Sequence, residues 1–356
     1  MRTITFALVG AGGVAPTHAE ALRSLEGASL LAVYSRNAVT AASFAKKHSC
    51  TPYTDYNEML KRPDLDAVII CTPSGLHADL GILAARAGKH VIVEKPIDVS
   101  LEKAEALIAA CQENKVKLCV IFQRRFEESV FRLKTMLAEG KLGRLSFGGC
   151  HIKLYRSQEY YDSGAWRGTW ALDGGGVLIN QGIHYIDLMQ YLMGPVAEVS
   201  AYSGTYTHQR IEVEDEIVAA LRFENGALGV IEATTNAYPG LMSRIDIYGA
   251  EGTAVIENDK LSVLKLRSGE DYSAVQGTDN AGVSSPAIDF VCHQRQLTQM
   301  VEAIREDKEP LVNGQEGRKA LEIILAVYKS AYTGQRVKLP LEDSLFLRDL
   351  TSNGIS

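Results

Sequence analysis

The sequence lacks most of the features that would assign it to a specialised class. Its six cysteines, Cys50, Cys71, Cys111, Cys119, Cys150 and Cys292, form no C-x-x-C pair. Neither a zinc site nor a disulfide framework is therefore expected, and reduced thiols in the cytoplasm fit best. No run approaches the ~18 apolar residues of a membrane span. A basic surface is missing too, because 37 Lys and Arg against 43 Asp and Glu leave a formal charge of −6. Nucleic acid is thereby excluded as the main partner, although small anions can still be held locally. Internal repeats and low-complexity tracts are absent. The apolar start, Met1 to Val14, runs into a glycine turn without a cleavage-like break and reads as a buried strand.

What the sequence has is length and hydrophobic content: 356 residues at 46% apolar composition are enough for two cores. Up to about Phe122, apolar runs alternate with helical-period stretches: Ile4–Val9, a helix from Ala15, Ser29–Tyr34, a helix over Val39–His48, Ala67–Cys71, a helix over Leu76–Ala87, His90–Val93, a helix over Leu101–Asn114 and Lys117–Ile121. Such alternation predicts a doubly wound parallel sheet covered on both faces. From Leu145 the rhythm changes to alternating strands: Leu145–Tyr155, Glu198–Tyr206, Ile217–Phe223, Ala227–Ala233, Arg244–Gly249, Thr253–Glu257 and Leu261–Lys265. Asn225-Gly226 and Glu251-Gly252 supply hairpin turns between neighbours. A polar loop near Ser268–Ser285 and helices at Gln296–Arg305 and Glu316–Ala331 complete the pattern. The expected fold is thus α/β: a dinucleotide-binding domain over 1–122, then an α+β domain over 123–356 built on an open-faced, mostly antiparallel sheet.

The turn Val9-Gly10-Ala11-Gly12-Gly13-Val14-Ala15 follows a strand and opens a helix, as the dinucleotide fingerprint requires. Gly10 permits the tight turn, Gly12 lets backbone approach a pyrophosphate, and Ala15 lets helix and strand pack closely. Where an acidic residue would hold a ribose 2′-hydroxyl, the chain has Ser35-Arg36-Asn37. A hydroxyl and a guanidinium suit a 2′-phosphate, which favours NADP over NAD; alternatively Arg36 stacks on adenine whichever cofactor binds. Thr72, Pro73 and His77 end one predicted strand and Glu94, Lys95 and Pro96 end the next. Loops at the carboxyl ends of parallel strands line the ligand crevice.

Trp166-Arg167-Gly168-Thr169-Trp170 and the run Asp173-Gly174-Gly175-Gly176 to Asp187 belong to the second half. If Ile179 to Tyr191 is helical, Asn180, His184 and Asp187 share a face. The three glycines before it are expected to leave room for a ligand. Expected substrate contacts are Arg124, Tyr155, Arg167, Asn180, Tyr185 and His293, with Arg167 first among them as a clamp on a cofactor phosphate or an acidic substrate.

Together these motifs resemble the Gfo/Idh/MocA oxidoreductase family. The likeness rests on Gly10-Ala11-Gly12, Thr72-Pro73 with His77, Glu94-Lys95-Pro96, the segment from Gly174 to His184 and the region from Pro310 to Ala331. It implies a Rossmann domain holding NAD or NADP through Gly10, Gly12, Gly13, Val14, Ala15, Ser35, Arg36, Thr72, Pro73, His77, Glu94, Lys95 and Arg167. It also implies Lys95 and His184 as catalytic residues, a sugar, cyclitol or nucleotide-sugar substrate, and a homodimer or homotetramer formed through the open sheet. One departure stands out: Asn180 occupies a place where many members carry aspartate, which leaves His184 or Lys95 to take the proton. The run from Trp166 to Asp187 is especially similar to nucleotide-sugar uronate dehydrogenases of this family. Rival expectations are an NAD-dependent glycosidase with transient redox and a non-catalytic sugar or dinucleotide sensor.

Overall fold

The computed structural model describes residues 2–273 and 290–342. These residues divide into two compact units. One runs to Gln123 and includes a returning segment that ends at Arg318; the other takes up at Arg124 and again at Lys319.

In the first unit the order is β1 Ile4–Val9, α1 Ala15–Arg23, β2 Ala28–Tyr34, α2 Ala38–His48, β3 Thr51–Tyr53, α3 Tyr56–Leu60, β4 Ala67–Ile70, α4 His77–Arg86, β5 His90–Val93, α5 Leu101–Glu113 and β6 Leu118–Val120. All six strands pair in parallel, in the order β3-β2-β1-β4-β5-β6. Ala67, Val68, Ile69 and Ile70 are wholly buried because helices cover both faces of the central strands. Asn37, Asp55 and Ser100 cap α2, α3 and α5 by accepting from backbone amides of the first turn. The short edge strand β3 and α3 are not foreseen by the sequence reading: Thr51-Pro52-Tyr53 is too brief to show a period, and its proline is tolerated because β3 lies at the edge.

The second unit begins with α6 Glu128–Ala138, β7 Leu145–Lys153 and α7 Gln158–Asp162. A π-helical turn over Leu178–Gly182 leads directly into α8 Ile183–Met193. Then come β8 Val196–Gly204, β9 Glu216–Phe223, β10 Leu228–Thr234, β11 Arg244–Gly249, β12 Gly252–Glu257 and β13 Lys260–Leu266. Beyond the undescribed stretch lie α9 Val291–Glu306, which belongs to the first unit, α10 Gly314–Thr333 and β14 Val337–Lys338. The sheet runs β13-β12-β11-β7-β10-β9-β8-β14 and is antiparallel except for its middle, where β7 and β10 pair in parallel. Along β9, Ile217, Ala219, Leu221 and Phe223 point inward, while Val218 and Arg222 point out. Helix α8 packs on β7 and β11.

The returning segment joins the core of the first unit. Leu297, Met300 and Val301 of α9 pack with Phe6, Leu8, Ala15, Ala19 and Leu22. Gln296 donates to the Val120 carbonyl at 2.7 Å, and Arg305 donates to the carbonyls of Arg2 and Gly27. A linear division at residue 122 leaves this segment with the wrong partner, since nothing in its own 3.6-residue period says which core it completes. Of the expected loop Ser268–Ser285, the part after Ser273 lies outside the described residues. None of the described helices is long and apolar enough to cross a membrane.

Candidate active site

At the end of β1, Gly10 adopts φ +101°, and a Cβ there would stand 2.9 Å from the Cys71 carbonyl oxygen. The turn is thus closed by protein on that side, and only glycine fits. Around Gly12 and Gly13 the opposite holds, since an added Cβ meets nothing within 4 Å. Ala15 is fully buried, and the Val14 cap position supplies no side chain to the first amides of α1. Open backbone at a helix N-terminus is the cradle a pyrophosphate needs, so these residues fit the dinucleotide. After β2, Asn37 is spent on capping α2 and the Ser35 hydroxyl accepts from the Asn37 amide at 3.3 Å. Arg36 is exposed.

Lys95 is half-buried just after β5, between the buried Glu94 and Pro96. Burial raises the Glu94 carboxyl, but the His18 hydrogen bond and the neighbouring charges of His18, His293 and Lys95 outweigh it and bring the group to about 2. Glu94 Oε1 meets His18 Nε2 at 2.7 Å, and Oε2 accepts from the Lys95 amide at 3.2 Å. His18, buried in α1, is a residue the sequence reading missed; its only signal is its place one turn after Ala15.

His293 corrects an expectation. It is 2% exposed, set edge-on to His18 with ring centroids 5.1 Å apart and 4.0 Å from Glu94. That is the core of the first unit and no accessible wall for a substrate. Among the described residues, His18, Glu94 and His293 are the one group whose ligating atoms lie within 4.8 Å of one another. A 2.7 Å contact is closer than two ligands of one ion stand at bond lengths of about 2.0–2.2 Å and ordinary angles. A hydrogen bond links His18 and Glu94.

His77 is likewise enclosed. Its Nδ1 lies 2.8 Å from the Pro96 carbonyl and its Nε2 2.8 Å from the Thr72 carbonyl. The two ring nitrogens face one carbonyl in each loop, so the ring bridges the loop after β4 and the loop after β5 from a buried position.

In the second unit the glycine run does something other than expected. Gly175 has φ +149°, and a Cβ there would be 2.3 Å from the Tyr328 hydroxyl; one on Gly176 would be 1.7 Å from the Glu214 carbonyl oxygen. These glycines admit protein, not ligand. The buried Glu214 carboxylate accepts from the amides of Gly176 (2.8 Å) and Leu178 (3.0 Å) and from the Tyr328 hydroxyl (2.9 Å). Burial pushes its pKa up to about 7 against those donors. Glu214 is a second residue the sequence reading missed, being far along the chain from the turn it holds.

The π turn changes which side chains are reachable. Asn180, Gln181 and His184 are half-buried, whereas Asp187, expected on the same face, is 1% exposed. Asp187 is instead paired bidentately with the buried Arg125, at 2.7 and 2.8 Å. Asn180 Nδ2 donates to Asp173 at 2.5 Å, and Asp173 also accepts from the Gly168 amide. An aspartate at 180 would set two carboxylates against each other, which gives a local reason for the amide.

The other expected substrate contacts are differently engaged. Arg124 pairs with Asp259, lies over the Tyr185 ring at 4.6 Å and donates to its hydroxyl; Tyr185 is only 5% exposed beneath it. Both are committed to each other. Tyr155 is exposed and sits edge-on to Tyr238. Arg167 donates to the Tyr160 hydroxyl at 2.6 Å and to Ser163, and its guanidinium lies over the rings of Tyr160 and Trp166.

Residues 4–122 match the oxidoreductase family with an NAD-binding Rossmann fold, and residues 130–255 match the GFO/IDH/MocA C-terminal domain. The WlbA dehydrogenase of Bordetella pertussis, solved in complex with NADH and UDP-GlcNAcA, is 34% identical over 96% of this chain and 100% of its own, with a TM-score of 0.85. A myo-inositol 2-dehydrogenase of Thermotoga maritima is 27% identical over 93% of this chain and 97% of that protein. The uncharacterized oxidoreductase YrbE of Bacillus subtilis is 27% identical over 95% and 97%. A glycine turn that only Gly10 can close, an open cradle at Gly12 and Gly13, and matches spanning both units agree: the chain belongs to the Gfo/Idh/MocA oxidoreductase family, with an NAD-binding Rossmann fold in its first unit.

Proposed function

We propose that the protein is a dehydrogenase that oxidises a secondary alcohol of a nucleotide sugar, a sugar uronate above all, with Lys95 and His184 as its catalytic residues. The observation that carries this reading is the pattern of accessibility along the family's two motifs. Lys95 alone is reachable in an otherwise buried stretch from Val91 to Asp98, and Asn180, Gln181 and His184 alone are reachable between Val177 and Gln190. Likeness to the WlbA dehydrogenase over the whole chain supports the substrate class.

His184 takes the hydroxyl proton, and the Lys95 ammonium stabilises the alkoxide charge as it develops. Asn180, held by Asp173, orients the hydroxyl but cannot accept its proton. Bound dinucleotide supplies the hydride acceptor. Gly10, Gly12, Gly13, Val14, Ala15, Thr72 and Pro73 hold it in this reading. Ser35 and Arg36, in a turn without an acidic residue, support use of NADP as well as NAD. Six free thiols support a cytoplasmic setting. The outward side chains of the second sheet, with Tyr202 78% and Val218 49% exposed, support a homodimer or homotetramer built on that face.

The test is a turnover screen with NAD and NADP against a UDP-sugar uronate, the free uronate and inositols. Lys95→Ala and His184→Ala should each lower kcat roughly 10²–10⁴-fold while NADH affinity, followed by fluorescence, changes little. Near-normal turnover in both variants would place the chemistry elsewhere.

A further inference from the structure

Between β7 and the glycine run, a loop presents two guanidinium groups on one aromatic ring. The Arg156 guanidinium lies 5.1 Å from the centre of the Tyr160 ring and that of Arg167 lies 4.2 Å from it. Both arginines are half-buried. Among the described residues neither has a carboxylate partner: Arg156 donates to the Tyr155 carbonyl, and Arg167 donates to the hydroxyls of Tyr160 and Ser163. Six other arginines of this unit, Arg124, Arg125, Arg210, Arg222, Arg244 and Arg336, have carboxylate partners, and Arg132 faces the Tyr272 ring, so what sets Arg156 and Arg167 apart is that they share one aromatic ring.

The loop's own acids are diverted from the pair. Asp162 is held by Arg210 and by Gln158. Glu159 is exposed, and a hydrogen bond from Ser157 keeps its carboxyl below the usual range. The backbone of Arg156 is pinned on both sides, its amide to the Thr235 carbonyl at 2.9 Å and its carbonyl to His208 Nε2 at 2.8 Å. His208 in turn is fixed by Asp215. The Tyr160 hydroxyl that accepts from Arg167 also accepts from Gln181 Nε2 at 3.3 Å, one turn before His184. Two positive charges with no carboxylate partner among the described residues, tied to the turn that bears the candidate base, suit a dianion.

We propose that Arg156 and Arg167, staged on Tyr160, form a subsite for the diphosphate of a nucleoside diphosphate sugar. The inference rests on the nucleotide-sugar reading of the function and adds the residues that distinguish such a substrate from a free sugar. A diphosphate diester carries two negative charges, one for each guanidinium, and each planar fork can take two oxygens of one phosphate.

Calorimetric titration of the full-length protein with UDP alone, with glucuronate alone and with NADH alone tests this. Arg156→Gln and Arg167→Gln should each bind UDP roughly ten- to a hundredfold more weakly, the cost of a hydrogen-bonded charge partner, with NADH affinity unchanged. Arg156→Lys, which keeps the charge and loses the fork, should fall between. Arg222→Gln removes a remote positive charge and should bind UDP as the wild type does. Unchanged UDP affinity in both glutamine variants would overturn the subsite, as would a loss confined to NADH or to glucuronate. If the wild type then still oxidises a nucleotide sugar, the proposed function stands without the subsite. If UDP binds through the arginine pair and no nucleotide sugar is oxidised, the subsite stands and that function falls.

Discussion

A carboxylate at Gly12 would enter open space, because nothing lies within 4 Å of an added Cβ there. Gly12→Asp should therefore fold normally and lose NADH binding by repelling the pyrophosphate; calorimetry on a protein of unchanged melting temperature checks both halves. Arg36→Ala should weaken NADP more than NAD, since a guanidinium has no ionic partner on a 2′-hydroxyl. Equal losses would leave only stacking on adenine. Asn180→Asp is more informative now that Asp173 is seen 2.5 Å away. Two carboxylates so close cannot both ionise freely, so one pKa rises. The variant's pH-rate profile should gain a new ionisation at higher pH than an ordinary carboxyl, while an unchanged profile would mean the side chains part. None of this pairing was legible in sequence, where Asp173 and Asn180 are separated by the glycine run.

Elements were the most legible scale, and their failures have physical causes. β1, β5 and β11 fall where the apolar runs place them, and most other strands are off by one or two residues. The helix expected from Ile179 opens with a π turn, which inserts a residue into the period and moves Asp187 off the accessible face into a buried pair with Arg125. The proposed catalytic pair, Lys95 and His184, was readable as motifs. The groups that hold it, His18 and Glu214, were not, because each acts across the fold on residues distant in the chain. Arg125→Met should cost about 3–5 kcal/mol of stability by stranding a buried charge on Asp187; urea unfolding measures it. Joint replacement of Arg125 and Asp187 by apolar residues should recover much of the loss.

For the whole molecule, Glu94 and Glu214 pull stability in opposite directions along the pH scale. The folded pKa of Glu94 is depressed to about 2, so its contribution is present above the unfolded value near 4.5 and is lost as pH falls from there toward 2. Glu214 is raised to about 7, so the folded state binds its proton more readily and stability falls as pH rises from 4.5 to 7. Because Glu214 is fully buried, the swing is roughly 3 kcal/mol at 1.36 kcal/mol per pKa unit. The difference in unfolding free energy between wild type and Glu214→Gln should therefore change across pH 4.5–7 and be flat above pH 8, and a pH-independent difference would assign the carboxyl an ordinary pKa.

The return of α9 to the first unit bears on how the protein is made. On the ribosome, every strand of the dinucleotide-binding sheet has emerged once Val120 is clear, yet Leu297, Met300 and Val301 are still unsynthesised. At roughly 5–20 residues per second, the nascent sheet waits many seconds with the α1 face that Met300 will cover open to solvent. A fragment that stops at Gln123 carries the whole fingerprint and lacks that cover. It should be captured by chaperones or aggregate where the full chain does not, and supplying residues 290–318 as a separate peptide should rescue it.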